Sequence, residues 1–307
     1  MSSVVSSSAI ISRPLAWGLL VVVIVIWGAN WPVMKYGLDY ISPLWFAATR
    51  MLLGALTMAL VAGFLGRLEV PRRGDWPVVI SVGLMQMAAF LGLVTVALQF
   101  VPAGRSAILA YTTSLWVVPL AVMLLGERVS AQKLAGFLLG LLGVMVMFNP
   151  FGFDWSDPDV VIGNGLLLIA AFCWAVLIIQ VRGSRMQGSP LSLAPWQFLV
   201  ASLVLVPVAV VMEGTGRWLW GFELGWVLFY NGPLATALCF WAMISITRAL
   251  PASTTSVASL GVPVFGLLAS AVALSEPLTL TNTVGLGLIL LGLLNVTLAD
   301  RAVARQA

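Results

Sequence analysis

Apolar residues run through this chain in long blocks separated by short polar punctuation. Ten of the blocks are long enough to carry a helix across a hydrocarbon core, which takes about 20 residues. They lie near residues 14–36, 43–65, 76–100, 103–125, 131–149, 160–181, 190–212, 222–248, 254–274 and 280–299. The pattern then repeats. At an offset of 147 residues Gly18, Trp27 and Lys35 meet Gly165, Trp174 and Arg182, and Ser42-Pro43-Leu44 meets Ser189-Pro190-Leu191. Farther on, at an offset of 149, Pro102, Ala103, Glu127, Gly136 and Gly143 fall on Pro251, Ala252, Glu276, Gly285 and Gly292. Because each copy holds an odd number of crossings, the second must run upside down relative to the first. The expected fold is an all-α integral membrane protein of ten transmembrane helices, arranged as two inverted five-helix repeats over residues 14–150 and 160–299. A polar leader (1–13), an acidic junction (151–159) and a short tail (300–307) complete the chain. Inverted repeats of this kind are an architecture of transporters, with the site near the bilayer midplane.

Composition changes the solvent. With 61% hydrophobic and 8% charged residues in 307, the chain is far below the charge content of about 25% usual in soluble domains. The first apolar block follows Arg13 but is long and lacks a small-x-small cleavage site, so a retained helix is expected, not a signal peptide. The net charge of +4 is strung along loops and forms no basic face, which argues against a nucleic-acid partner. One set of loops holds Arg13, Arg67, Arg72, Arg73, Arg128, Lys133, Arg182, Arg185, Arg248, Arg301 and Arg305, while the opposite set keeps Lys35, Arg105 and Arg217. The positive-inside rule puts the first set, and both termini, in the cytoplasm. Cys173 and Cys239 fall inside apolar blocks and read as packing residues.

Candidate chemistry is sparse. The chain has no His, no paired carboxylates at depth, no phosphate-binding glycine loop and no cluster of metal ligands. No enzyme activity, cofactor or metal is expected. Glu127 and Glu276 stand near block ends with Ser130 and Thr279 three residues on. They suit either helix N-termini or a proton relay, and their position at the membrane edge favours the capping role. Arg50 lies inside the second block, where a charge must snorkel, pair or face water. Snorkelling toward the outer surface is the preferred reading over a substrate-carboxylate site. Ser42-Pro43 and Ser189-Pro190 have the form of a Ser cap followed by Pro at the first helical position. Pro233, in Tyr230-Asn231-Gly232-Pro233, predicts a kink that leaves backbone groups free for a wet cavity. Gly136, Gly140 and Gly143, with Gly285, Gly287 and Gly292, predict smooth faces for packing within the molecule.

Among the aromatics, Trp76, Trp155, Trp218, Trp220 and Trp226 sit where interfacial belts are expected. Trp27, Trp116, Trp174 and Trp241 lie deeper. Together with Asn30, Gln86, Phe90, Tyr111 and Asn231 they are the candidate substrate-binding residues: apolar walls with a few directing polar groups, as small-molecule sites usually have.

The five-plus-five repeat, the stretch Trp27-Gly28-Ala29-Asn30 and the doubled pattern Gly126-Glu127-Arg128 to Gly136 and Ser275-Glu276-Pro277 to Gly285 resemble the EamA-type members of the drug/metabolite transporter superfamily. The resemblance covers nearly the whole chain. It departs where Ser114 stands opposite Pro263, so the proline before the Glu occurs once. Within the superfamily the chain is most similar to YddG-type exporters of aromatic and other neutral amino acids. That resemblance implies a bacterial inner-membrane protein, expected to be a monomer in the lipid bilayer, that exports amino acids by alternating access and facilitated diffusion. The alternative is a broader drug or metabolite exporter of nucleobase type, proton-coupled through Glu127 or Glu276.

Overall fold

The computed structural model describes residues 11–126, 130–148, 156–182, 187–250, 258 and 260–304. Glu127, the stretch 149–155 of the junction, the small-residue stretch 251–257 and the ends of the leader and tail lie outside the described residues. Helices occupy nearly everything described: α1 (Arg13–Gly37), α2 (Pro43–Phe64), α3 (Trp76–Ser81), α4 (Leu91–Ala97), α5 (Ala103–Ala110), α6 (Thr113–Leu125), α7 (Ala131–Phe148), α8 (Pro158–Arg182), α9 (Pro190–Glu213), α10 (Phe222–Phe229), α11 (Cys239–Ala249), α12 (Gly261–Ala273) and α13 (Leu280–Ala304). Two π-helical segments, π1 (Val82–Phe90) and π2 (Tyr230–Leu238), join α3 to α4 and α10 to α11 into continuous rods. Among the described residues no strand forms; the sole β-type pairing is the bridge between Ile41 and Trp218.

Seven helical stretches are long and apolar enough to cross a membrane, and three shorter apolar helices, within 134–146, 261–273 and 280–296, accompany them among the described residues. All ten lie on the apolar blocks. Their outward faces carry Leu56, Phe64, Val211, Phe222, Val272 and other large apolar side chains in the open, the surface expected where lipid is the solvent.

The packing pairs mirror one another when the halves of the chain are exchanged. α2 lies along α9 and α7 along α13; α2 touches π2 as α9 touches π1; α1 crosses α12 as α8 crosses α5 and α6. Glycine decides the tightest of these contacts. A Cβ on Gly136 would sit 2.7 Å from the carbonyl oxygen of Gly292, and one on Gly143 would sit 2.8 Å from that of Gly285, so α7 and α13 meet backbone to backbone. Gly287 faces open space and takes no part.

Helix starts follow a less uniform rule than the sequence suggests. Ser189 caps α9 itself, accepting the Ser192 N–H at 3.1 Å. Ser42 does not cap α2: its hydroxyl takes the Arg217 N–H at 2.7 Å instead. The first turn of α2 is satisfied by Glu213 from the end of α9, whose carboxylate accepts from Leu44 N at 2.9 Å and Trp45 N at 3.2 Å. A carboxylate offers more acceptor sites than a hydroxyl and complements the positive helix end.

Candidate functional site

On α1, residues spaced by three and four positions turn toward the centre of the molecule: Trp27, Asn30, Trp31 and Met34. α2 adds Arg50 to the same space, π1 adds Gln86, Met87 and Phe90, and α4 adds Leu91 and Val94. Tyr111 enters at the break between α5 and α6. The second half supplies Trp174 from α8, Phe198 from α9, Ala235 and Thr236 from π2, and Phe240 from α11. Together they line a partly open cavity of about 110 Å³, mostly apolar with a few polar groups, the make-up usual for small-molecule sites.

Both π segments face this cavity. A widened turn is common at functional sites because it displaces backbone and re-aims side chains. In π2 the cause is legible, since Pro233 cannot donate to the turn before it. π1 spans VGLMQMAAF and has no proline. π2 is pinned to α1 twice: the Trp27 indole N–H donates to Ala235 O at 2.8 Å, and the Tyr230 hydroxyl donates to Ile26 O at 2.8 Å. Aromatic edges close the walls. Phe90 meets Trp174 with ring centres 4.7 Å apart, and Phe198 meets Phe240 at 5.3 Å, both edge to face.

Of the nine residues expected from the sequence, the structure brings six to this cavity: Trp27, Asn30, Gln86, Phe90, Tyr111 and Trp174. Three do not line it. Trp116 packs edge-on against Phe172 at 5.5 Å. Trp241 is half-buried and bridges the main core and a smaller apolar cluster around Leu20, Val23 and Cys239. Asn231 is fully buried within π2, its amide donating to Val227 O at 3.0 Å.

Arg50 does not snorkel. It is 6% exposed, its Nε donates to Thr236 Oγ1 at 2.7 Å, and Nη1 reaches Met34 Sδ at 3.1 Å. The sequence places it at depth but does not tell a lipid-facing position from a cavity-facing one, because both neighbourhoods are apolar. Thr236, Phe198 and Phe240 also line the cavity and, for the same reason, carry no sequence mark of it.

Above the cavity, the loops 38–42, 98–102, 214–221 and 275–279 form one tied rim. Backbone bonds run from Ser42 N to Arg217 O at 3.1 Å and from Leu219 N to Tyr40 O at 2.8 Å. Lys35 reaches the carbonyl oxygens of Leu98, Gln99 and Val101 at the end of α4, where a cation suits the helix dipole. Glu276 accepts from Ala103 N at 2.6 Å and Gly104 N at 2.9 Å, capping α5. Tyr36 and Tyr40 share a hydroxyl–hydroxyl bond of 2.7 Å, which pushes the Tyr40 phenol up to about 12. At the other end, Asp75 accepts from Gln187 N at 2.7 Å and Gly188 N at 3.1 Å. A second depression, sharing Gln86, Trp174 and Phe240 with the cavity, leads along Leu177 and Leu193 toward Val181 and Pro190 on that side.

The sequence profile of the EamA-like transporter family matches residues 15–149 and again residues 161–298. The chain belongs to the EamA-like transporter family. Like other EamA-like proteins it is a membrane transporter, and several relatives are similar along almost their whole lengths. A probable amino-acid metabolite efflux pump of Salmonella typhimurium is 28% identical, with 90% of this chain and 92% of the relative covered. Its counterpart in Escherichia coli is 26% identical over the same shares. The transporter YoaV of Bacillus subtilis, whose substrate its name does not specify, is 26% identical over 89% of this chain and 94% of the relative. A solved crystal structure, 23% identical, superposes with a TM-score of 0.64 over 95% of this chain and 99% of the other, and so shares the fold.

Proposed function

We propose that this EamA-like protein is a bacterial inner-membrane carrier that exports amino acids, aromatic and other neutral or hydrophobic ones, by alternating access. The observation that carries the reading is the central cavity: aromatic walls drawn from both halves of the chain, with Asn30, Gln86, Tyr111, Thr236 and Arg50 as its polar groups. The similarity to the Salmonella and Escherichia proteins named as probable amino-acid metabolite efflux pumps supports the substrate class. The exchangeable packing pairs support two inverted five-helix units, 14–150 and 160–299, rocking about the cavity. Loop charge supports cytoplasmic termini, and with them the tied rim as the outer gate.

Glu276 spends both carboxylate oxygens on the start of α5, which supports movement down the substrate gradient without a proton relay through that residue. The test is flux of labelled phenylalanine, leucine and threonine in proteoliposomes without an imposed pH gradient. Equilibration of at least one of them, blocked by an excess of its unlabelled form, is the expected result. Strict dependence on a pH gradient would remove the facilitated mechanism, and absence of any saturable flux from folded protein would remove the carrier reading.

A further inference from the structure

Arg50 combines three properties that a structural cation rarely has together. It is buried in α2 at 6% exposure, it lines the cavity, and among the described residues no carboxylate pairs with it. A guanidinium carries five N–H groups. Two are engaged here, one by the Thr236 hydroxyl and one by a methionine sulfur, which is a weak acceptor. A charge at that depth is costly unless something neutralises it, and the remaining N–H groups present a planar fork suited to a carboxylate.

A second orphan lies close by. Asn30 is 4% exposed and its Oδ1 is buried without a hydrogen-bond partner, yet the residue lines the same cavity. Asn30 and Met34 are one turn apart on α1, so their Cβ atoms are separated by about 5–6 Å, and Met34 is the residue Arg50 touches. The cavity therefore offers an anion-seeking fork and an unused carbonyl acceptor on side chains that line the same space and both neighbour Met34, with Trp27, Phe90 and Trp174 also in its walls. A compact ligand that uses both, a carboxylate for the fork and an ammonium for the carbonyl, is an α-amino acid zwitterion.

We propose that Arg50 is the carboxylate anchor of the transport site and that Asn30 Oδ1 receives the ammonium group, leaving the side chain among the aromatic walls. The assignment rests on the amino-acid reading given above and names the groups that enforce it. The Thr236 and Met34 contacts hold the guanidinium in its orientation before the solute arrives, so the fork meets its ligand already aligned.

Titration calorimetry on the purified full-length protein tests this with three probes of one shape: L-phenylalanine, 3-phenylpropionate and L-phenylalaninamide. Both carboxylates should bind at least about tenfold more tightly than the amide, and phenylalanine more tightly than 3-phenylpropionate. Arg50→Gln should erase the preference for carboxylate, and Arg50→Lys should keep part of it, a point charge replacing the fork. Asn30→Leu should bring phenylalanine down to the level of 3-phenylpropionate. Equal binding of amide and acids to the wild-type protein would overturn the Arg50 assignment while leaving a carrier of other solutes standing. A folded Arg50→Gln protein that keeps the acid preference would overturn it too. If Arg50→Gln does not fold, the wild-type comparison decides alone. Should none of the three probes bind, while flux of amino acids is also absent, the proposed function falls together with this inference.

Discussion

The carboxylate of Glu276 receives the backbone N–H of Ala103 at 2.6 Å, closing the first turn of α5 from 173 residues away along the chain. The same side chain takes the Gly104 N–H through its other oxygen. Removing both acceptors by Glu276→Ala should cost about 2 kcal/mol, the scale of charge-assisted hydrogen bonds. Glu276→Gln keeps one acceptor and should cost less. Melting curves in detergent check the order, and amino-acid flux at pH 6 and 8 should show the same pH response in Gln variant and wild type. A clean loss of pH response with folding intact would instead assign Glu276 to proton coupling.

One residue before it, Ser275 is held at φ +55°, while Gly126, its counterpart by the repeat, is at φ +64°. A side chain in the left-handed region costs roughly 1–2 kcal/mol, partly offset by the greater freedom glycine loses on folding. Ser275→Gly is therefore expected to raise the melting temperature modestly, by the equivalent of about 0.5–1 kcal/mol. Gly126→Ala should lower it by a similar amount.

The seam between α7 and α13 makes a contrast within one helix. Gly292→Ala would place a Cβ 2.5 Å from the Gly136 carbonyl oxygen and must force the helices apart. Gly287→Ala meets nothing within 4 Å and should be neutral or stabilising by up to about 1 kcal/mol through helix propensity. Size-exclusion profiles and thermal unfolding of the two variants should separate cleanly; similar behaviour would show that the seam tolerates separation.

Trp27→Phe keeps an aromatic wall and removes the indole bond to Ala235 O. The freed carbonyl belongs to π2, so the variant should stay folded while losing about 1 kcal/mol of stability. Measured flux should fall more than binding, because the bond fixes π2 against α1. Unchanged flux would mean that the bond only serves packing.

What the sequence makes legible follows from where the physics is local. The helices lie on the apolar blocks because spanning a hydrocarbon core sets a length that composition reveals. The role of Glu276 is readable from its place at a block edge, but its partner Ala103 is not, since the contact is made only when the chain folds back. Ser42 and Ser189 look alike in sequence and differ in space because Glu213 takes the first-turn N–H groups of Leu44 and Trp45 after Ser42, whereas Ser189 caps its own helix. Trp116 and Trp174 both fall well inside apolar blocks, yet one packs on Phe172 and the other on Phe90 in the cavity wall. Depth is written in hydropathy, whereas rotation about the helix axis is not when lipid, core and cavity are all apolar. π1 left no trace because no proline marks it.

The unneutralised guanidinium of Arg50 also determines what the passage refuses. Two like charges 4 Å apart repel by about 4 kcal/mol at an effective dielectric of 20, a penalty near a thousandfold in occupancy. Polyamines, quaternary ammonium biocides and cationic dyes would meet that repulsion inside the cavity Arg50 lines, so a cell relying on this protein should gain no resistance to them.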